Sequence, residues 1–259
     1  MRNKKISRLL LSVTDQLVGK LVDVTLFTFF LMGESVGQTG SRGVYKAFQA
    51  TDKMLADINY ESIKQAVSKL IKDGLTEKKS GSTGSGIILT KLGEERLKRS
   101  FPYYRKERPW DHLLYLVSYD IPTKYNRLRD HLRLILKNHG AGLVQDSLWI
   151  NPYNPAPLLE EFSKTYSPEK VILVSKLDQS GVVGGAKLAD LVKDIYGLDD
   201  LDRRYRDFIN RYGNGKYISK MKVALDYLAI LKDDPQLPFP LEPENYSGKE
   251  AHRLYQSLL

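Results

Sequence analysis

The chain has 259 residues, 42% hydrophobic and 27% charged, which suits two or three folded units and excludes a disordered chain. It has no cysteine, so disulfides, zinc–thiolate sites and thiol catalysis are excluded. The net charge is +9, and residues 1–109 hold all of the excess, with 20 Lys and Arg against 11 Asp and Glu; this points to a polyanionic partner for the N-terminal third.

The opening MRNKKISRLLLSV has a basic head, but its apolar run is only Leu9–Leu11. A secretory leader needs roughly 7–15 apolar residues, so a cytoplasmic location is expected. Leu17 to Met32 is the most apolar stretch, interrupted by Lys20 and Asp23. It falls short of the roughly 20 residues of a membrane span, so no membrane association is expected. Leu17, Leu21, Val24, Phe27 and Leu31 recur at helical spacing and predict a buried helix. A second helix is expected over Val44–Asp57.

The third helix starts at Asn59, a good N-cap, with Glu61 suited to the first-turn dipole. Ile63, Val67, Leu70 and Ile71 fall on one face, leaving Tyr60, Ser62, Lys64, Gln65, Ser68 and Lys69 on the others. Gly74 ends it. TEKKSGSTGSGIILT then reads as a hairpin with a Gly/Ser tip, followed by a basic helix from Leu92. Gly81 and Gly86 have phosphate-loop separation, but Ile87 and Ile88 stand where Lys and Ser/Thr are needed, which rejects that reading.

This order is that of a winged helix-turn-helix. The expected DNA-binding residues are Tyr60, Ser62, Lys64, Gln65 and Lys69 on the third helix, and Lys78 and Lys79 on the wing. Gln65 can read adenine through two hydrogen bonds, whereas the wing lysines reach phosphate.

FPYYRKERPW (101–110) and DQSGVVGGAK (178–187) read as seams. Between them the pattern is β-α-β-β-α-β: a strand Leu113–Tyr119, a helix Lys124–Asn138 with Leu128, Leu132, Ile135 and Leu136 inward, strands Leu143–Gln145 and Leu148–Ile150, a helix Ala156–Tyr166 and a strand Lys170–Lys176. This predicts a ferredoxin-like sheet with two helices on one face. Asp120 stands at a strand end. It is expected to cap the turn and to pair with Arg127 or Arg129. The four histidines show no metal-ligand spacing.

In the last third, Leu198, Leu201, Tyr205, Phe208, Ile209 and Tyr212 predict a helix over 195–212, and another runs from about Ile218 to Leu231. A proline-paced strap follows. Ser247 and Glu250 form a capping-box pattern ahead of a helix with Ala251, Leu254 and Leu258 as its apolar stripe.

Two resemblances follow. Tyr119-Asp120, Arg127, Gly140, Gln145, Ser147 and Trp149 resemble the pattern of the small ferredoxin-like subunit of the CRISPR spacer-integration complex. The order LDxLxxRYRxFI, then DPxLPxPLxPxxYxGxxAxxLxxxL, resembles the C-terminal region of PaaX-type transcriptional repressors. That family implies an α+β chain of three parts: a winged helix-turn-helix (1–105), a ferredoxin-like βαββαβ domain (106–180) and a C-terminal helical domain (181–259). It implies a homodimeric repressor bound to double-stranded DNA, needing no cofactor, with a small-molecule effector whose identity the sequence leaves open. The alternative is a metal-dependent endonuclease in which Asp120 binds Mg²⁺ opposite its mate across a two-fold axis. A hydrolytic Mg²⁺ site generally needs two or more carboxylates, and Asp111, Asp130 and Asp146 do not converge on Asp120 in sequence.

Overall fold

The computed structural model describes residues 17–32, 40–51, 53–81, 84–166, 171–177, 188–214 and 219–259. The seam expected at 178–187 lies outside them. The chain divides into two compact units. The first comprises Met1–Tyr104, Arg204–Asp233 and Gly248–Leu259; the second comprises Arg105–Arg203 and Asp234–Ser247. Residues 181–259 thus contribute to both.

The first unit begins with α1 (Leu17–Met32), and every residue from Val22 to Phe29 is buried. Burial on all sides explains why its pattern is weakly amphipathic. Its polar members are satisfied locally: Thr28 Oγ1 donates to the Val24 carbonyl at 2.7 Å. Asp23 accepts from Arg96 at 2.9 and 3.2 Å, a two-bond pair to a distant helix.

The helix expected over Val44–Asp57 is broken. It forms α2 (Ser41–Gln49) and the single turn α3 (Lys53–Ala56). Thr51 Oγ1 donates to the Phe48 carbonyl at 2.6 Å, a side-chain bond that competes with helix continuation. Next comes α4 (Tyr60–Lys72), where Asn59 Oδ1 accepts the Ser62 N–H at 2.8 Å as a working N-cap. Gly74 follows its end with φ +69°, a conformation open to glycine at little cost.

The hairpin pairs β1 (Thr76–Gly81) with β2 (Gly84–Leu89), and α5 (Lys91–Ser100) follows, capped by Thr90. Ile63, Val67 and Leu70 of α4 join Val44 and Phe48 of α2 in the core. The same unit holds α10 (Lys220–Leu231), α11 (Gly248–Leu258) and most of α9 (Leu198–Tyr212), with Tyr205, Phe208, Tyr227 and Ala251 buried.

The second unit is built on β3 (Leu114–Tyr119), β4 (Gly142–Gln145), β5 (Leu148–Asn151) and β6 (Ile172–Leu177). They are antiparallel in the order β4-β5-β3-β6. The helices α6 (Asn126–Asn138) and α7 (Ala156–Tyr166) complete the βαββαβ order of a ferredoxin-like domain. Val117, Tyr119, Leu132, Leu136, Trp149, Leu159 and Phe162 form one core, with Leu128 and Ile135 packed at its edge. The class is therefore α+β, as expected.

Near β4 the sheet also meets α8 (Leu188–Tyr196), which periodicity did not foresee. Gly142 N donates to the Tyr196 hydroxyl at 3.1 Å, and the single proton of that hydroxyl is shared between the Gly140 and Ile150 carbonyls, each 2.9 Å away. A Cβ at Gly142 would stand 2.4 Å from Ile195 Cγ2, so the close approach depends on glycine. The capping box at Ser247 does not close as expected. Asp202 Oδ1 accepts the Ser247 N–H at 2.8 Å, the bond the motif assigns to Glu250.

Candidate nucleic-acid interface

The 3.6-residue period of α4 buries Ile63, Ala66, Val67 and Leu70 and turns Tyr60, Lys64, Gln65, Ser68 and Lys69 to solvent. Ser62 is half-buried, and its N–H is engaged by the Asn59 cap. Lys64 and Lys69 do not stand alone. Lys64 Nζ lies 3.2 Å from Glu61, and Lys69 Nζ 2.9 Å from Asp73, both exposed pairs within one helix. Surface pairs of this kind are worth about 0–1 kcal/mol, so a phosphate can displace them. Tyr60 is held edge-on to Tyr45 at 5.7 Å, which orders its ring at the N-terminal end of the helix.

On the hairpin, Lys78 pairs with Ile87 and Lys79 with Gly86. Consecutive strand residues point to opposite faces, so the two lysines cannot approach one phosphate from the same side. Arg42, Lys46 and Lys72 are also exposed on α2 and α4, and were not singled out from sequence because they carry no distinctive spacing.

In the second unit the matching positions of the resemblance have separate roles. Tyr119 is buried. Its hydroxyl accepts from Arg133 Nε at 3.2 Å and donates to the Asp146 carbonyl at 3.4 Å. The same bond to Tyr119 is the first cause of the raised Arg133 pKa. Ser147 supplies its carbonyl to the Tyr119 N–H at 3.3 Å, and Trp149 belongs to the core. Gly140, with φ +87°, follows the end of α6.

Asp120 is exposed, and its N–H donates to the Val171 carbonyl at 3.1 Å. Contrary to expectation, it forms no ion pair with Arg127 or Arg129 among the described residues; the chain runs through a 3₁₀ turn at Thr123–Tyr125 before α6 begins. The other carboxylates are occupied elsewhere. Asp111 accepts from the Tyr115 hydroxyl, which lowers its pKa, and Asp130 faces Arg133 at 3.9 Å. Among the described residues no group of three His, Asp or Glu side chains converges on a metal-sized site. A lone exposed carboxylate at the end of β3 does not fit an Mg²⁺ site.

The fold therefore defines a helix–hairpin–helix unit with an outward polar helix face, accompanied by a ferredoxin-like domain. Residues 107–189 match the family described as the PaaX protein central Cas2-like domain. The PaaX-type resemblance is thus carried by the central domain as well as by the order of parts. The chain is also similar to uncharacterized protein Rv0674 from Mycobacterium tuberculosis. That likeness has a TM-score of 0.57 and 15% identity over 92% of this chain and 94% of that one, and at this identity it concerns fold alone. No curated protein matches the chain. No helix among the described residues is long and apolar enough to cross a membrane.

Proposed function

We propose that this chain is a cytoplasmic, DNA-binding transcriptional regulator of PaaX type, a repressor that acts as a homodimer. Its functional parts are residues 1–105, 106–180 and 181–259. The observation that carries the reading is the exposed polar face of α4, with Tyr60, Lys64, Gln65 and Lys69 turned outward, within the third of the chain that holds the whole charge excess. A helix of this kind enters the major groove while the hairpin lysines, Lys78 and Lys79, meet the backbone. Two-fold pairing would present two such helices to paired half-sites.

The test is a salt titration of duplex DNA binding by the intact protein. Log K against log[salt] should fall with a slope of about −0.9 for each phosphate neutralised. A flat response removes the reading. Sedimentation should give twice the chain mass of 29.6 kDa, and a monomer both free and on DNA contradicts the dimer.

A further inference from the structure

We infer that the second unit contains a binding site for a small organic cation, an ammonium group on a compact aliphatic body. A cavity of about 680 Å³ opens there, and its described lining residues all belong to that unit. This volume falls within the roughly 300–1,000 Å³ of ligand pockets. The walls come from the segment before β3, from β3 and β6, from the first turn of α8 and from the proline-paced strap. Leu114 and Leu177 stand opposite each other across β3 and β6, and Leu188, Pro240 and Leu241 extend the aliphatic surface. These walls fit a saturated body.

Trp110 also lines the cavity. Its Nε1 donates to the Leu113 carbonyl at 2.8 Å, which fixes the indole, and the His112 ring lies 4.9 Å from it. His112 holds φ +65°, a left-handed conformation that a non-glycine residue adopts only at a cost. The turn that places these two rings is thus held against a local preference. An indole offers a cation the strongest of the aromatic faces.

The charge of the occupant follows from three ionic groups on the wall. Glu242 is engaged by Arg108, and Lys193 by Asp199 at 2.9 Å. Asp190 is exposed and forms no hydrogen bond or ion pair among the described residues. It stands in the first turn of α8, where the helix dipole favours a carboxylate; that role accounts for its charge and leaves its oxygens open. Lys193 shows the sign of the surrounding field. Its pKa is raised, first by the bond to Asp199 and further by Asp194 and Asp190. An anion entering the cavity would meet the Asp190 carboxylate, whereas a cation offsets it and finds the Trp110 ring. The site does not depend on the DNA-binding reading.

The experiment is isothermal titration of the full chain with three probes of one shape: 1-adamantylmethylammonium, 1-adamantanemethanol and 1-adamantanecarboxylate. It is repeated on Asp190→Asn and Ala189→Trp, both at exposed positions of the cavity wall, with circular dichroism to check folding. The ammonium should bind tightest of the three, with a Kd of about 10–500 micromolar. Asp190→Asn should weaken it by about fivefold or more and bring it level with the alcohol, as expected for loss of one charge-assisted contact. Ala189→Trp sets a large ring at the wall and should weaken every probe that binds by about fivefold or more. The site is overturned by no ammonium binding at millimolar concentration, by tightest binding of the carboxylate, or by unchanged ammonium affinity in either variant. A further readout needs no variant. Saturating ammonium should shift the tryptophan emission through Trp110, since Trp149 lies in the core, and an unchanged emission overturns the site.

Discussion

Arg108 and Glu242, 134 positions apart, form an ion pair at 2.5 Å in which the side chains keep only 1% and 12% of their exposure. Arg108 also donates to the Leu237 carbonyl at 2.8 Å and lies over the Phe239 ring at 4.6 Å. One guanidinium thereby fixes the proline-paced strap to the segment following Tyr104. Glu242→Ala should lower the stability of the fold by about 3–5 kcal/mol, because it removes the carboxylate that balances a buried guanidinium. Urea denaturation measures this, and a loss below about 1 kcal/mol would show that the strap is held by other contacts.

Tyr196 gives a second structural prediction. Replacing it with Phe deprives the Gly142 N–H and the Gly140 and Ile150 carbonyls of a shared partner, at a cost of about 1–3 kcal/mol. Gly142→Ala should destabilise through the clash with Ile195 instead. Equal thermal midpoints for wild type and both variants would contradict the packing of α8 on the sheet.

Stability should fall at alkaline pH. Burial is the first cause raising the pKa of Tyr196, Tyr212, Tyr246 and Tyr255, the last pushed up to about 12. The folded state keeps these protons to higher pH than the unfolded chain, whose tyrosines titrate near pH 10. Their contribution is therefore complete below about pH 10 and is lost as pH rises through the folded values. Thermal melts from pH 8 to pH 11.5 should show Tm declining only above about pH 10; a Tm independent of pH over that range refutes the linkage.

Asp120 separates the regulator from the nuclease. Asp120→Asn should change stability by no more than about 0.5 kcal/mol, since the side chain is exposed and has no ion pair among the described residues. Purified protein should not cut single- or double-stranded DNA or RNA with Mg²⁺ or Mn²⁺. Metal-dependent cleavage that disappears in the variant would falsify this and favour the enzyme reading, with Asp120 of two chains sharing the ion.

Gln65→Ala should cost about 1–3 kcal/mol at one base position and relax preference there, whereas Lys79→Ala should weaken all sequences alike. Binding profiles against a library of duplexes distinguish the two. Identical profiles would mean that α4 does not read bases.

Much of the fold was legible because local rules produced it. Asn59 capped its helix, Gly74 closed it, and the apolar period of Asn126–Asn138 turned Leu132 and Leu136 into the core. The outward face of α4 was legible for the same reason: burying Ile63, Val67 and Leu70 leaves Lys64 and Gln65 outside.

Long-range pairing was not legible, since its partners lie far apart in sequence and leave no periodic signal. Asp23 looked like an interruption of an apolar helix until Arg96 reached it, and Glu250 matched a capping motif whose bond Asp202 takes. Likewise, Phe27, Phe30, Phe101, Tyr104, Tyr227 and Tyr255, which line one cavity of the first unit, come from three helices and a connecting segment. Their spacing along the chain describes helix faces, and only the packing of those faces decides that a space is left between them.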